Sequence, residues 1–229
     1  HAYTARSRAA AGVVLLPDSG SDPEAFVHGL ATAVQQLALR LVIPGTERDL
    51  IAIARARDDL MPVAAGTPDL ETVLRITNKA AVYKMARQAG LQVPATTLID
   101  EDGAGLTEDS EQRLPLVMKP LRSERPRENG VLVHTDVQMV QTPEQLRRLC
   151  RGLKPDEWLL QARVSGQLGA ICGLAWGGVV VNVLHQRAKR VWPPEAGVSA
   201  YAQTVDADPA LEAGVARLIR SLGWSGIFQ

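Results

Sequence analysis

The chain is poor in the residues that would make several functions easy to read. Two cysteines, Cys150 and Cys172, stand among 229 residues, outside any CxxC pattern and without clustered histidines. That excludes a disulfide-built scaffold and argues against a zinc site. Aromatic residues make up 4% of the chain, and 25 basic residues balance 25 acidic ones. Neither the stacking platform nor the basic stripe of a nucleic-acid binder is present, so no nucleic acid is expected as a partner. No apolar run reaches membrane-spanning length and no signal-peptide pattern opens the chain, so no membrane partner is expected and a cytoplasmic setting fits best.

What is present is apolar material enough for one large or two modest domains, 46% of the residues. The chain opens on "HAYTARSRAAAG" and stops at "GWSGIFQ". It reads as an internal segment of a longer protein.

Short apolar runs alternate with amphipathic ones. Strands are expected at Val13 to Leu16, in "RLVIPGTE" (40–47) and in "MPVAA" (61–65). Between and after them lie three helices: "DPEAFVHGLATAVQQLA", with Asp22 as cap and Pro23 at its first position; "TERDLIAIARAR"; and "TPDLETVLRI", with Thr67 as cap. Alternating strand and helix implies a parallel sheet covered by helices, so residues 1–75 read as a partial Rossmann-like domain.

A further helix, "TNKAAVYKMARQAG" (77–90), is expected to start at a Thr77 cap and stop at Gly90. "LQVPATTLID" runs extended, and the acidic "DEDGAGLTEDSEQR" reads as a linker. From 114 the pattern is strand ("LPLVMKP"), charged loop, strand ("GVLVHTD"), helix ("TPEQLRRLCRGL", capped by Thr142) and strand ("EWLLQARV"). This is a small α+β unit. Two strands about Gly177-Gly178 form a hairpin, and a last helix spans about 208–222. Strict alternation along the second hairpin strand would place Val181, Val183, His185, Arg187 and Lys189 on one face, an apolar row turning basic. Such a face either is a solvated strand end or meets an anion.

In "LPLVMKPLRSERPRENG" a hydrophobic strand ends in Lys119 and runs into a loop crowded with charge. Taken alone, the lysine reads as a strand terminus. In order along the chain, however, five pieces resemble those of the ATP-grasp ligases, in the carbamoyl-phosphate-synthase-like and carboxylate-amine ligase branch. "VIPGTERDLIAIA" is similar to the end of that family's N-terminal domain. "TNKAAVYKMARQAGLQVPAT" resembles its Asp-Lys helix, here Asn78-Lys79. "LPLVMKP" resembles its lysine strand, "EWLLQARVSGQLGA" its hinge and turn, and "HQRAKRVWPPEAGVS" its basic strand and following loop.

The resemblance implies a partial Rossmann-like domain (1–75) followed by a C-terminally incomplete ATP-grasp domain (76–229), with a lid at about 114–165. It implies an enzyme that uses ATP and Mg2+ to activate a small-molecule carboxylate as an acyl phosphate for an amine. Lys79 and Lys119 would approach the phosphates from two sides. The hinge backbone at Gln161, Ala162, Arg163 and Val164 would read the adenine, with Leu160 and Val164 packing around it. Arg187, Lys189 and His185 would face the γ-phosphate, Arg187 and Lys189 in catalytic roles. The loop "SERPRENG" would close over the phosphates and keep water out. Related ligases often form homodimers, and the oligomeric state is open.

Several positions depart from the pattern. The loop after Lys119 holds one glycine, Gly130; Leu168 stands where many members place a ribose-binding glutamate; and the glycine loop reads Ala196-Gly197-Val198-Ser199. The family's magnesium ligands would follow Gln229, so no metal ligand is expected within the chain and the segment as given is expected to be inactive. The alternative is a non-catalytic nucleotide-binding or regulatory module of the same fold.

Overall fold

Every sheet among the described residues is antiparallel, and the described part of the first ninety residues contributes none of the strands expected there. The structure, a computed structural model, describes residues 3–64, 66–99, 113–126, 131–192 and 197–229. After a short 3-10 turn at Tyr3–Arg6 come four helices: α1 (Pro23–Gln36), α2 (Glu47–Arg55), α3 (Leu70–Ile76) and α4 (Lys79–Gln88). Phe26 and Leu30 of α1 pack on Ala52 and Ile53 of α2 and on Leu60, Val63 and Ala64 after it.

The three expected strands of this region are corrected by the structure. Residues 13–16 have no assigned secondary structure and no ladder partner among the described residues, and Val13, Val14 and Leu15 are more than half exposed. Around 42, one bond among the described residues links two of the segments, from the Val42 N–H to the Val63 carbonyl. Residues 61–64 form a turn whose amides bond backwards, Ala64 N–H to the Leu60 carbonyl. Apolarity made these runs resemble buried strands, but a strand exists only when a neighbour accepts its backbone groups.

Helix starts follow the strongest side-chain acceptor. Asp22 caps α1 by accepting the Ala25 N–H, and Thr46 caps α2 by accepting that of Asp49. Asp69, not Thr67, caps α3, and Asn78, not Thr77, caps α4. In both corrections a side chain with a carbonyl-type oxygen lies within two residues of the threonine and takes the helix N–H instead.

The next unit is a four-stranded sheet in the order β1-β6-β2-β5, where β1 is Thr96–Leu98, β2 Leu116–Pro120, β5 Gln138–Val140 and β6 Trp158–Ala162. Helix α5 (Pro143–Cys150) covers one face, with Leu146 fully buried against Met118, Val140 and Leu160. Two short strands, β3 (Glu124–Pro126) and β4 (Leu132–His134), pair apart from it. The expected linker lies almost wholly outside the described residues, as do residues 127–130 of the charged loop and 193–196 of the later one.

A second sheet runs β10-β7-β8-β9, with β7 Gly169–Trp176, β8 Val179–Trp192, β9 Val198–Val205 and β10 Gly226–Phe228. Gly177 and Gly178 make the β7–β8 turn, both with positive φ (55° and 78°), a conformation glycine adopts without strain. Helix α6 (Pro209–Leu222) packs Ile219 against Ala175 and Trp224. The pairing skips Val181 against β7 and Lys189 against β9. Each skipped residue is a bulge that interrupts alternation, so the expected single row over 181–189 shortens to Val183, His185 and Arg187.

Candidate functional site

In β2, Leu116, Met118 and Pro120 enter the core while Val117 and Lys119 take the other face. Alternation therefore aims the ammonium away from α5. Across the sheet, Val117 pairs with Gln161, and Gln161 pairs with Thr96, so these side chains share the Lys119 face. The result is a relay. The Lys119 ammonium donates to Gln161 Oε1 at 2.6 Å, Gln161 Nε2 donates to Thr96 Oγ1 at 2.9 Å, and Thr96 Oγ1 donates to the Pro94 carbonyl at 2.9 Å. Gln161 is buried, and its orientation is thereby fixed with the oxygen toward the lysine.

Lys79 arrives from a different element. It is the first residue of α4, its backbone N–H donates to the Leu121 carbonyl at 3.0 Å, and its ammonium donates to Ser123 Oγ at 2.9 Å. Burial holds the Lys79 ammonium below the ordinary lysine range; the Glu47 carboxylate opposes that, and the nearby charge of Lys119 adds to it. The two ammonium groups thus share one electrostatic neighbourhood. Each has a neutral oxygen as its hydrogen-bond partner, and neither forms an ion pair among the described residues.

Glu47, at the start of α2, is the acidic member. Burial pushes its carboxyl up, against the pull of Lys79 and of a bond from the Glu124 N–H, and one of its oxygens is buried without a hydrogen-bond partner. Close by, Glu124 is buried and paired with Arg48 (3.1 Å) and His134 (3.2 Å). Arg122 donates to the Leu74 carbonyl at 2.6 Å and to Thr77 Oγ1 at 2.7 Å. Residues 121–124 are in this way stitched to α3 and α4. Sequence reasoning did not single out Glu47, Thr96 or Ser123. Glu47 did lie inside the "PGTE" stretch, and Ser123 four residues past the strand lysine.

The other expected site residues are placed less centrally. At the hinge, the Ala162 N–H donates to Ala95 (2.8 Å) and the Arg163 N–H to Pro115 (3.3 Å), while the Arg163 and Val164 side chains are exposed. His185 is buried against α6. It takes the Asp208 N–H on Nδ1 at 3.4 Å, which leaves Nε2 to donate to Glu212 at 3.2 Å. Arg187 and Lys189 are exposed, and no hydrogen bond or ion pair among the described residues joins them to the lysine pair. No group of three or more His, Cys, Asp or Glu that could hold a metal occurs among the described residues, and no helix is long and apolar enough to cross a membrane.

This arrangement of a helical segment and two antiparallel sheets matches part of each of several solved ligase, synthetase and carboxylase structures. The chain is similar to an L-amino acid ligase from Bacillus licheniformis, with 19% identity, a TM-score of 0.57 and coverage of 90% of this chain and 48% of that one. It is similar also to the N5-carboxyaminoimidazole ribonucleotide synthetase of Thermus thermophilus (16%, TM-score 0.56, 88% and 52%). A third is the biotin carboxylase of Campylobacter jejuni in a nucleotide complex (12%, TM-score 0.61, 89% and 48%). The chain spans about half the length of these solved structures. No family model and no curated protein matches it.

Proposed function

We propose that the chain is the nucleotide-clamping part of an ATP-dependent ligase that activates a carboxylate as an acyl phosphate for attack by an amine or a similar nucleophile. The observation that carries this reading is the convergence of Lys79 and Lys119 from two separate elements, each held by a neutral oxygen. The two ammonium groups repel each other, the Glu47 carboxylate offsets part of this at Lys79, and a polyanion between them removes the rest. A triphosphate supplies it.

Phosphoryl transfer asks the protein chiefly for position and charge neutralisation. Gln161, fixed by Thr96, sets the reach of Lys119, while Ser123 sets that of Lys79. Ammonium groups suit the task because they meet phosphate oxygens without a fixed fork geometry. With the Ala162 and Arg163 N–H groups already engaged, adenine would be read by the hinge carbonyls and by the backbone at Val164. Arg187 and Lys189 would meet charge developing on the transferred phosphoryl group, where stabilisation favours the transition state. His185 would act through the strand, by fixing β8 against α6 beside Arg187. No step here depends on a metal ion.

The test is ADP release by the intact protein, supplied with ATP and screened against amino acids and small carboxylic acids. Lys119→Ala is expected to abolish release while leaving the thermal melt unchanged, and retained turnover would refute the role. A second reading, a nucleotide-binding module without catalysis, is favoured by the exposed Leu168 at the position where the resemblance puts a ribose-binding glutamate. ATP binding without ADP release against any acid would support it.

A further inference from the structure

Ser123 holds Lys79, but its neighbours on both sides turn elsewhere. Arg122 and Glu124 line an adjoining cavity of about 360 Å³, between the loop before α1, helix α2 and the end of α3, which shares Glu47 with the lysine site. Three arginines line it, Arg48, Arg55 and Arg122, against two carboxylates, Glu47 and Glu124. Glu124 is already ion-paired with Arg48 and lies 3.2 Å from His134 Nδ1.

The guanidinium groups retain donors. Arg48 forms an ion pair with Glu124 through Nε at 3.1 Å, and its terminal nitrogens make no hydrogen bond to a described residue. Arg122 uses one terminal nitrogen on Leu74 and Thr77, which leaves the other and Nε. Arg55 is exposed and makes no side-chain bond to a described residue. Gly20 matters for this geometry: a Cβ there would meet Arg48 Cδ at 2.9 Å and Nη1 at 3.0 Å, so the absence of a side chain lets Arg48 lie across the loop. Between the charges the lining is apolar, from Ile51 and Ala52 on the same face of α2 as Arg48 and Arg55, and from Leu74 and Leu132.

We propose that this cavity binds a small aliphatic carboxylate, its acid group on the Arg48, Arg55 and Arg122 guanidinium groups and its hydrocarbon body on the apolar wall. Guanidinium donors match a carboxylate in two-point geometry, and an anion lacking a hydrocarbon body would leave the wall uncovered. The volume lies in the range of small-molecule pockets and leaves room for such an acid. Because Arg122 and Glu124 flank Ser123, an occupied cavity steadies the segment that holds Lys79. Only this consequence rests on the ligase reading; the binding itself does not.

The test is a titration of the intact protein with isovalerate, its amide and isoamylamine, by calorimetry and by thermal shift. Isovalerate is expected to bind and to raise the melting temperature, and the amide and amine to do neither. Arg55→Gln, on an exposed side chain, and Arg122→Gln are each expected to weaken isovalerate roughly tenfold, the scale of one charged hydrogen bond. Gly20→Ala is expected to weaken it less. No binding of isovalerate at tens of millimolar, equal binding of the amine, or undiminished binding to the folded Arg55→Gln protein overturns the proposal. ATP is titrated separately: loss of isovalerate binding with ATP binding intact defeats this inference alone, and the reverse result defeats the ligase reading alone.

Discussion

Residues 3–90 and residues 113–165 carry similar short apolar runs, yet only the second region turns them into paired strands. In the first, helices α1 and α2 and the turn after α2 make the core, and the runs at 13–16 and 39–43 join no ladder among the described residues, with Val13, Val14, Leu15, Leu39, Leu41 and Ile43 exposed. In the second, β2 has β6 on one side and β5 on the other, and α5 closes the face. A helix satisfies its own backbone, whereas a strand depends on a partner elsewhere in the chain. The lysine of β2 is aimed because its strand is paired on both edges.

The comparison can be broken most forcefully at Leu146. Leu146→Ala is expected to cost about 2–5 kcal/mol, since the side chain is fully buried between α5 and the sheet. Chemical denaturation measures this, and a loss under about 1 kcal/mol would mean that the paired region is looser than described. Next come the caps. Thr142→Ala and Thr46→Ala should each cost about 1 kcal/mol, one in each region, because both hydroxyls accept a helix N–H.

Glu47 gives a smaller effect with a definite sign. Its folded-state pKa is raised by burial, so the folded state favours the protonated acid, and the associated stability is present in acid and lost as pH rises through the raised value. Glu47→Gln should therefore melt higher than the parent near pH 7, with the difference fading as pH falls below the raised pKa. A difference that grows in acid would contradict the assignment. Leu15→Ser should change stability by no more than about 0.5 kcal/mol, as expected of an exposed residue in an unpaired segment. Hydrogen exchange would sharpen the contrast further, with amides of 116–118 protected and those of 13–16 fast.

Local features were legible in the sequence. Pro23 and Pro143 behind Asp22 and Thr142 marked two helix starts correctly, and Gly177-Gly178 marked the hairpin. Thr67 and Thr77 misled because Asp69 and Asn78, close behind, are the better acceptors. What failed was information that neighbours supply: whether 13–16 finds a ladder, that Val181 and Lys189 are bulged out of register, and that β9 exists at all. The site divides likewise. The lysine strand could be read from alternation, but the convergence of Lys79 with it, and the presence of Glu47, Ser123 and Thr96 around the pair, depend on contacts such as Lys79 to Ser123 and Thr96 to Gln161, 44 and 65 positions apart.

The central claim is that Lys79 and Lys119 hold one triphosphate between them. ATP affinity measured for the intact protein and for Lys79→Met, Lys119→Met and the double variant tests it most directly. The account predicts a loss of roughly 10²-fold for each single change, and a double variant whose loss departs from the product of the two, as expected for charges on a shared ligand. ATP bound with undiminished affinity by either folded single variant would contradict it.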